Sequence, residues 1–413
     1  MKILMMQPVN FSGIFYYTSQ LADQLNGRGI DVRVVTCENF EPEPIRGLHF
    51  TLLPIMKGMN REEPRLIRGL KYFFSQARVI SLILRWHPTV VHYGDIFVPP
   101  VDLLTLLWAK LLGIPVVVTV HDVQPSQLTS RRFSLNHNKF VLNLIYRAAN
   151  RLITHSVGSR RELKESFRVP EHKMVESYLG GAPFQKQVGV NIDGAESRRL
   201  LNIPKEEKVI LFFGNLKRAK GLEYLLQAMP LLLERDRKTK LLIVGPERSK
   251  AENDFDYDGL IETLGIKEHV SFIKKFVNSD QVHLYFKACD VVVLPYSMVY
   301  QSSVVMQAYT FAKPVVASDI EGLRDVVYDG ETGFLFEAKN VRDLAAKIST
   351  VFSNPDEARR IAKNGEALLN TKHSWENIAR IILSAYSDLN GHGKFQSTGS
   401  NGPARDQPEK EEK

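Results

Sequence analysis

The sequence contains little cysteine. Only Cys37 and Cys289 occur among its 413 residues, far apart and without the spacing of a zinc site or a redox pair. Each thiol borders an apolar run. Because disulfides are rare in reducing compartments, this usage predicts two buried, unreactive thiols in a protein of a reducing compartment.

Long hydrophobic runs are also absent. No run of about 18 uncharged apolar residues occurs, so the sequence predicts no segment that spans a bilayer. The short apolar run that begins at Met1 is stopped by Pro8 and Asn10, too early for the hydrophobic part of a secretory signal. We interpret this run as a first β-strand and expect a cytoplasmic protein, with the inner face of the membrane as a further place of action.

Several catalytic motifs are missing. The chain has no G-x-G-x-x-G, no G-x-x-x-x-G-K-[ST], no G-x-S-x-G and no Cys/His zinc cluster. These absences argue against a dinucleotide-binding dehydrogenase, a P-loop NTPase, an α/β-hydrolase and a zinc enzyme. The acidic stretch from Asp254 to Gly259 resembles the start of a calcium loop, but its twelfth position is Gly265 instead of Glu. A solvated acidic loop is therefore favoured over a metal site.

Length and composition indicate two globular domains. The chain is 44% hydrophobic and too long for one ordinary core. Its charge is uneven, because residues 1–200 contain 25 Lys and Arg against 16 Asp and Glu. We expect this first half to face an acidic partner, and nucleic acid, anionic lipid or an anionic glycan would each fit the charge.

Short β-branched or Leu-rich runs alternate with amphipathic segments of helical length through both halves. This alternation is typical of parallel sheets with crossover helices, and it predicts one doubly wound α/β unit in each half. The predicted strands lie near residues 2–7, 31–36, 90–93, 115–121, 151–154, 173–177, 209–214, 240–245, 270–274, 290–295 and 314–318.

The domain boundaries follow from breaks in this alternation. We place an N-terminal domain at 1–183, a linker rich in Gly, Pro and polar residues at 184–204, and a C-terminal domain at 205–373. A helix at 374–390 begins behind a Ser374 N-cap, and residues 391–413 have a disorder-type composition. Ligands bind at the carboxyl ends of strands in such sheets, so the cleft between the domains is the expected site.

The second half contains a phosphate-site pattern. A buried strand ends at Gly214, and Lys217, Arg218 and Lys220 follow it before an amphipathic helix. Positive side chains and free backbone N–H groups then meet at one point, which favours a bound diphosphate. A solvated basic turn is the alternative, but a cation beside the positive end of a helix is favourable only when an anion binds there.

A second helix start carries polar groups. Ser302 and Ser303 precede a helix predicted to begin at Val304, so hydroxyls and helix N–H groups point at one place. Simple N-capping explains the two serines equally well. Gln307, just over one turn into this apolar helix, calls for a polar partner.

The first half offers a glycine turn and a strand-end histidine. Gly13 follows the first strand and opens a helix, where it would let a phosphate approach bare N–H groups, although many such glycines serve sterics alone. His121 ends an apolar strand at the carboxyl edge, where it would project into the cleft as a catalytic group. The basic amphipathic segment Arg61–Arg85 would lie on an anionic membrane or pack as an ordinary surface helix.

An ordered set of motifs resembles the retaining GT-B glycosyltransferases of family four, the group-one type, over nearly all of residues 1–390. The resemblance rests on Gly13, the Val-Thr-Val-His121-Asp strand end, Thr154-His-Ser, Gly214-x-Leu-x-x-x-Lys220-Gly221, Leu-Leu-Ile-Val-Gly245, the Pro295 strand, Ala308, Lys313-Pro-Val-Val-Ala, and Asp329-Gly-Glu-Thr-Gly333-Phe-Leu.

This resemblance implies two Rossmann-like domains facing across a cleft, the N-terminal one on the acceptor side and the C-terminal one binding the nucleotide-sugar, with a C-terminal helix crossing back. It also implies transfer of a sugar from a nucleotide-sugar co-substrate to a glycan or lipid-linked hydroxyl, with retention and without a metal or other cofactor. Lys220, with Lys217 or Arg218, would stabilise the leaving diphosphate and His121 would touch the donor sugar. No nucleic-acid partner is implied.

Three positions depart from the family pattern. Asn215 stands where relatives carry Arg, and Val299 and Gln307 stand where they carry a pair of Glu residues. A Gln carbonyl still accepts a hydrogen bond from a ribose hydroxyl, more weakly than a carboxylate does. A weakly active or non-catalytic partner subunit therefore stays open beside the transferase, as does a GT-B sugar-nucleotide epimerase.

Overall fold

The computed structural model describes residues 1–9, 12–38, 47–58, 63–123, 132–247 and 255–389. The predicted disordered tail, Arg61 and Asp254 lie outside these ranges. Within them, the chain forms two fully parallel sheets that each carry helices, as the alternation of apolar runs predicts.

The first sheet has the strand order β3-β2-β1-β4-β5-β6-β7 and the second has the order β10-β9-β8-β11-β12-β13. The strands of the first sheet are β1 Lys2–Met6, β2 Asp31–Cys37, β3 Thr51–Met56, β4 Val90–Tyr93, β5 Val116–Val120, β6 Arg151–Thr154 and β7 Met174–Glu176. Those of the second are β8 Lys208–Phe213, β9 Thr239–Val244, β10 Val270–Ile273, β11 Val291–Leu294, β12 Val315–Ser318 and β13 Phe334–Phe336.

The helices of the first half are α1 Ser12–Asn26, α2 Arg65–Trp86, α3 Pro99–Leu111, α4 Arg132–Ala148, α5 Val157–Phe167, α6 Pro183–Val188 and α7 Gly194–Leu200. Those of the second half are α8 Leu222–Arg235, α9 Tyr257–Thr263, α10 Val282–Ala288, α11 Ser303–Thr310, α12 Glu321–Arg324, α13 Val341–Ser353, α14 Pro355–Asn370 and α15 Trp375–Leu389. In the part of the chain described, no helix combines the length and apolarity needed to cross a bilayer.

All the predicted strands are present, whereas β3 and β13 were missed. Both are edge strands, and the β3 sequence Thr-Leu-Leu-Pro-Ile-Met contains a proline, which edge strands tolerate. The segment predicted as a linker contains the helices α6 and α7. Arg198 of α7 donates to Asp290 and to the Ala288 carbonyl of the second domain, so this segment is packed and not extended.

The first sheet buries a core on each of its faces. Leu4 and Met6 of β1 pack toward α2, α3 and α4, whereas Ile3 and Met5 pack toward α1 and α15. The C-terminal helix therefore crosses back onto the first domain, as the resemblance implies. Asn377 N–H donates to Ser374 Oγ at 3.2 Å, which confirms the predicted N-cap of α15.

Neither cysteine forms a disulfide, and both are buried, as predicted. Burial raises the pKa of the Cys37 thiol to about 12, and it does the same for Cys289. A thiol that stays protonated at neutral pH is a poor nucleophile, so both serve as packing groups.

Candidate functional site

A cleft of about 190 Å³ lies between the two domains. Its walls come from the start of α1, the segment Leu179–Ala182, the ends of β8 and β9, the start of α11 and the first residue of α15. Five predicted site residues line it: Gly13, Gly214, Asn215, Ser303 and Gln307. The cleft is therefore at the carboxyl edges of both sheets, where open α/β sheets bind their ligands.

Two helix N-termini face each other across this cleft. A Cβ atom added to Gly13 in α1 would lie 3.9 Å from Ser303 Oγ at the start of α11. Ser302 occupies the N-cap position of α11, but its side chain makes no capping hydrogen bond. Simple capping therefore does not account for Ser302, and the start of α11 can offer its N–H groups to an anion.

Lys220 lies against the glycine that ends β8. A short 3-10 helix, Arg218–Lys220, brings the Lys220 ammonium to 5.1 Å from the centre of the Tyr296 ring. The same Nζ atom lies 2.6 Å from the position that a Cβ on Gly214 would take, and Gly214 has a φ of +108°. Glycine at 214 therefore gives the ammonium its place near the start of α11, since Val304 Cγ2 lies 3.8 Å from the same Cβ position.

The other two basic residues of this segment have different surroundings. Arg218 lies 3.6 Å from Glu223 and 4.4 Å from the Phe255 ring, so its guanidinium is held by its own domain. Desolvation raises the pKa of the Asp122 carboxyl, and the nearby Lys217 ammonium acts in the opposite direction. Lys217 thus faces the first domain, whereas Arg218 does not.

His121 directly follows β5 and lies one layer behind the cleft wall. Its ring centre is 5.1 Å from that of Tyr17, which lines the cleft, and 5.0 Å from that of His155. Burial lowers the pKa of His121 to about 4, so the imidazole is neutral at pH 7. Among the described residues its Nε2 atom has no hydrogen-bond partner.

Three residues in or next to the cleft were missed or left without a role by the sequence. Gln301 Nε2 donates to the His121 carbonyl at 2.9 Å and so joins the domains. The Oε1 atoms of Gln301 and Gln307 are both buried without a partner in the described ranges, and a bound hydroxyl would satisfy them. Tyr17 and Trp375 also line the cleft. A polar residue before an apolar helix was a visible signal for Gln301, but Trp375 depends on the return of α15, which no local pattern shows.

The described wall of the cleft contains no Asp or Glu. The acidic stretch near residue 256 is structural, since Asp256 Oδ1 accepts from Gly259 N–H at 2.9 Å at the start of α9 and Asp258 pairs with Lys274. No group of three or more potential ligand side chains is placed to hold a metal ion in the residues that the structure describes.

Two doubly wound domains that face each other across a cleft, with a returning C-terminal helix, define the GT-B class. Sucrose-phosphate synthase of Thermosynechococcus elongatus has this fold with a TM-score of 0.72 at 21% identity, over 94% of this chain and 99% of that one. The Anabaena protein HepE, in a complex with UDP-glucose, has a TM-score of 0.71 at 19% identity, over 94% of this chain and 100% of that one.

Family comparisons identify the particular group. The model of Glycosyltransferase Family 4 matches residues 11–180, and the model of Glycosyl transferases group 1 matches residues 193–368. The chain belongs to the group 1 glycosyltransferases, as its motifs indicate.

Curated relatives are similar over part of their length. An uncharacterized glycosyltransferase of Methanocaldococcus jannaschii is 32% identical over 57% of this chain and 59% of its own length. A D-inositol 3-phosphate glycosyltransferase of Corynebacterium urealyticum is 36% identical over 47% of this chain and 46% of its own length. The chain thus spans about half to three fifths of the length of these relatives.

Proposed function

We propose that the protein transfers a sugar, with retention, from a nucleotide-diphosphate sugar to a hydroxyl of a glycan or lipid-linked acceptor. Cell-surface polysaccharide or glycolipid synthesis at the cytoplasmic face of a membrane is the setting that we propose for it. The observation that carries the proposal is the meeting of α1 and α11 at Gly13 and Ser303, with the Lys220 ammonium beside Gly214. Membership of the group 1 family supports the same reaction class.

The chemistry needs stabilisation of a leaving anion. As the bond from the anomeric carbon to the diphosphate oxygen breaks, its electron pair stays on the diphosphate and the negative charge there increases. The acceptor oxygen bonds to the anomeric carbon on the same face, and its proton passes to the leaving diphosphate oxygen. Helix N–H groups and Lys220 are positioned before the reaction, so they stabilise this charge without reorganising. This proposal assigns no step to a metal ion, and Lys220 supplies the cation.

The remaining residues orient the donor. Gln307 Oε1, buried and unpartnered among the described residues, would accept from a ribose hydroxyl in place of the family's carboxylate. The neutral His121 would contact the donor sugar through Nε2 after Tyr17, packed against it, adjusts. Lys217 would add positive charge from the loop before Lys220. Arg218, already held by Glu223, would contribute least.

Two alternatives remain to be tested against this proposal. A sugar-nucleotide epimerase needs carboxylates as general bases in the cleft, and the described cleft wall offers none. A non-catalytic partner subunit would keep the fold and the cleft without using Lys220. The absence of a carboxylate at 299 and 307 is what keeps that second alternative in view.

The decisive experiment is a donor panel. We expect the full chain, in EDTA, to bind one class among UDP-, GDP-, ADP- and CMP-sugars and to release free nucleotide when an acceptor is added. Lys220→Ala should lower kcat/KM on the order of 10²-fold or more, because it removes a cation from the leaving group. Lys267→Ala is the matched control, since that lysine is 78% exposed in the same domain and, just after α9, pairs with the exposed Glu262.

Each outcome separates the alternatives. Nucleotide release that needs no acceptor, together with an epimerised donor, would favour the epimerase. Binding of a donor without turnover, and no effect of Lys220→Ala in cells, would favour the partner subunit. If no nucleotide-sugar binds, the proposed function is wrong.

A further inference from the structure

The helices α2 and α3 present an unusually apolar outer surface. Leu66, Phe74 and Leu111 are 76%, 67% and 78% exposed, and Phe73, Leu104 and Trp108 are each about half exposed. The inner side of α2 is already packed, because Tyr72, Val79 and Ile83 are buried in the core of the first domain. The outer apolar side chains therefore remain exposed to solvent after the domain has folded.

Between these helices lies a groove of about 460 Å³. Phe73, Phe74, Trp108 and Leu111 are among its walls, and its lining is almost wholly apolar. Two buried polar contacts fix its floor, from Tyr72 Oη to Asp102 Oδ1 at 2.5 Å and from Thr105 Oγ1 to Gln76 Oε1 at 2.8 Å. These two contacts join α2 to α3, the helices that form the walls of the groove.

Cations border the apolar surface. Lys57, Lys71 and Arg78 line a hollow of about 270 Å³ next to the groove, together with Phe74, which the two share. Lys71 is paired with Glu63 and Lys57 with Glu38, both at the exposed surface, whereas Arg78 Nη1 lies 3.5 Å from the Ile55 carbonyl. Apolar groups flanked by positive charge suit the boundary between anionic headgroups and hydrocarbon.

We propose that the α2–α3 face docks on an anionic bilayer, with Phe73, Phe74, Trp108 and Leu111 entering the hydrocarbon boundary and Lys57 and Arg78 contacting phosphates. The basic helix predicted from Arg61–Arg85 would be only half of this surface, since α3 contributes the rest. Apolar insertion provides most of the affinity, so binding would persist at high salt.

The charges favour a bilayer over a second copy of this chain. In a twofold contact through this face the same cations would meet one another, and like charges across an interface oppose association. Trp108 also has an amphipathic ring, which suits the headgroup level. The proposal rests on the proposed function, because a lipid-linked acceptor would then reach the domain that carries His121.

The test is flotation of the full chain with vesicles of phosphatidylcholine and phosphatidylglycerol. We expect the protein to float at low salt and in about 1 M sodium chloride, where the screening length is about 3 Å. Phe74→Ser with Leu111→Ser should lower the partition coefficient on the order of 10²-fold, because two large apolar side chains are lost from the hydrocarbon boundary. Lys57→Gln with Arg78→Gln should lower it about fivefold for each charge at low salt only.

The control variant is Val157→Ser with Val190→Ser, which removes two side chains 54% and 71% exposed elsewhere. It should float as the wild type does. Failure of the wild type to float, or equal flotation of the Phe74/Leu111 variant, would overturn the proposal. The proposal would also be overturned if light scattering showed a dimer that the Phe74/Leu111 variant dissociates and the control variant does not. Nucleotide-sugar binding in solution is measured on the same samples, so a failed docking proposal is distinguished from a failed function.

Discussion

Gly214 and Lys220 depend on each other sterically. The space that a side chain would occupy at 214 is taken by the Lys220 ammonium, and the backbone there has a φ that favours glycine. The sequence showed both residues within one motif but not this contact, because the turn that folds Lys220 back is set by Gly221, whose φ is +63°. Gly221 thus sets the turn and Gly214 leaves the space for the cation that the proposed reaction uses.

This contact predicts the effect of Gly214→Ala. The added methyl group would displace the ammonium, so kcat/KM should fall on the order of tenfold or more, and strain at positive φ should cost about 1 kcal/mol of unfolding free energy. Steady-state kinetics measures kcat/KM, and urea unfolding measures the free energy of unfolding.

Gly265→Ala separates strain from displacement. Gly265 also has a positive φ, +64°, but a Cβ there meets nothing within 4 Å. It should show the same loss of stability and no loss of rate. A Gly214→Ala enzyme with unchanged kcat/KM would contradict the role given to this contact.

Helix α15 is joined to the first sheet through a buried histidine. His92 on β4 bonds Tyr386 Oη through Nδ1 at 2.5 Å and Thr119 Oγ1 through Nε2 at 2.7 Å. Burial lowers the pKa of His92 to about 3, and it lowers that of His121 to about 4. The helix is therefore docked on a site that requires a neutral imidazole.

Acid should weaken this docking. Unfolded histidine has a pKa of about 6.5, so the contribution of His92 is complete above that pH and is lost as the pH falls toward 3. In urea unfolding, the stability of the wild type relative to His92→Gln should decrease by about 2 kcal/mol between about pH 7.5 and pH 5.

The comparison with the variant isolates the histidine. Desolvation raises the pKa of Asp95 to about 7 and that of Asp102 to about 6, and these groups act in the opposite direction in both proteins. A stability difference that does not change with pH would contradict a neutral His92 in the folded protein.

The sequence predicted the central strands better than the edge strands and the helix that crosses back to the first domain. Central strands such as β8 and β11 are continuous apolar runs, so their composition alone indicates them. Strand β13 has three residues, too few for a periodic signal. Likewise, Gly13, Gly214 and Gln307 could be assigned to the cleft from their places after strands or within a helix. The sequence could not show the cleft position of Trp375 or the contact of Arg218 with Glu223, because both depend on tertiary packing.

Polar contacts between the two domains close the cleft. Arg161 of α5 donates twice to Glu321 of α12, at 2.6 and 2.7 Å, and Val157 N–H donates to Asp325 at 3.0 Å. Gln301 and the short contact between Tyr300 and Glu162 join the same domains. These contacts hold α1 and α11 close enough to bind one ligand together.

Reversing one charge should open the cleft. Arg161→Glu would face Glu321 and Asp325, so the donor KM should rise about fivefold, as expected for a partly exposed pair, and the radius of gyration in X-ray scattering should increase. Arg161→Glu with Glu321→Arg should restore both quantities. Failure of this rescue would mean that the pair does not control closure.

The two places where the chain passes between the domains touch each other. His373 Nδ1 lies 3.0 Å from the Leu179 carbonyl, and Trp375 Nε1 donates to the Gly181 carbonyl at 3.1 Å. Gly180 is pressed so closely to the Trp375 ring that a Cβ there would lie 2.4 Å from it. Two domains that share one fixed contact can rotate about it, but they cannot separate there. We expect relative motion of the two domains to be a rotation about this shared contact, which would change the gap between Gly13 and Ser303.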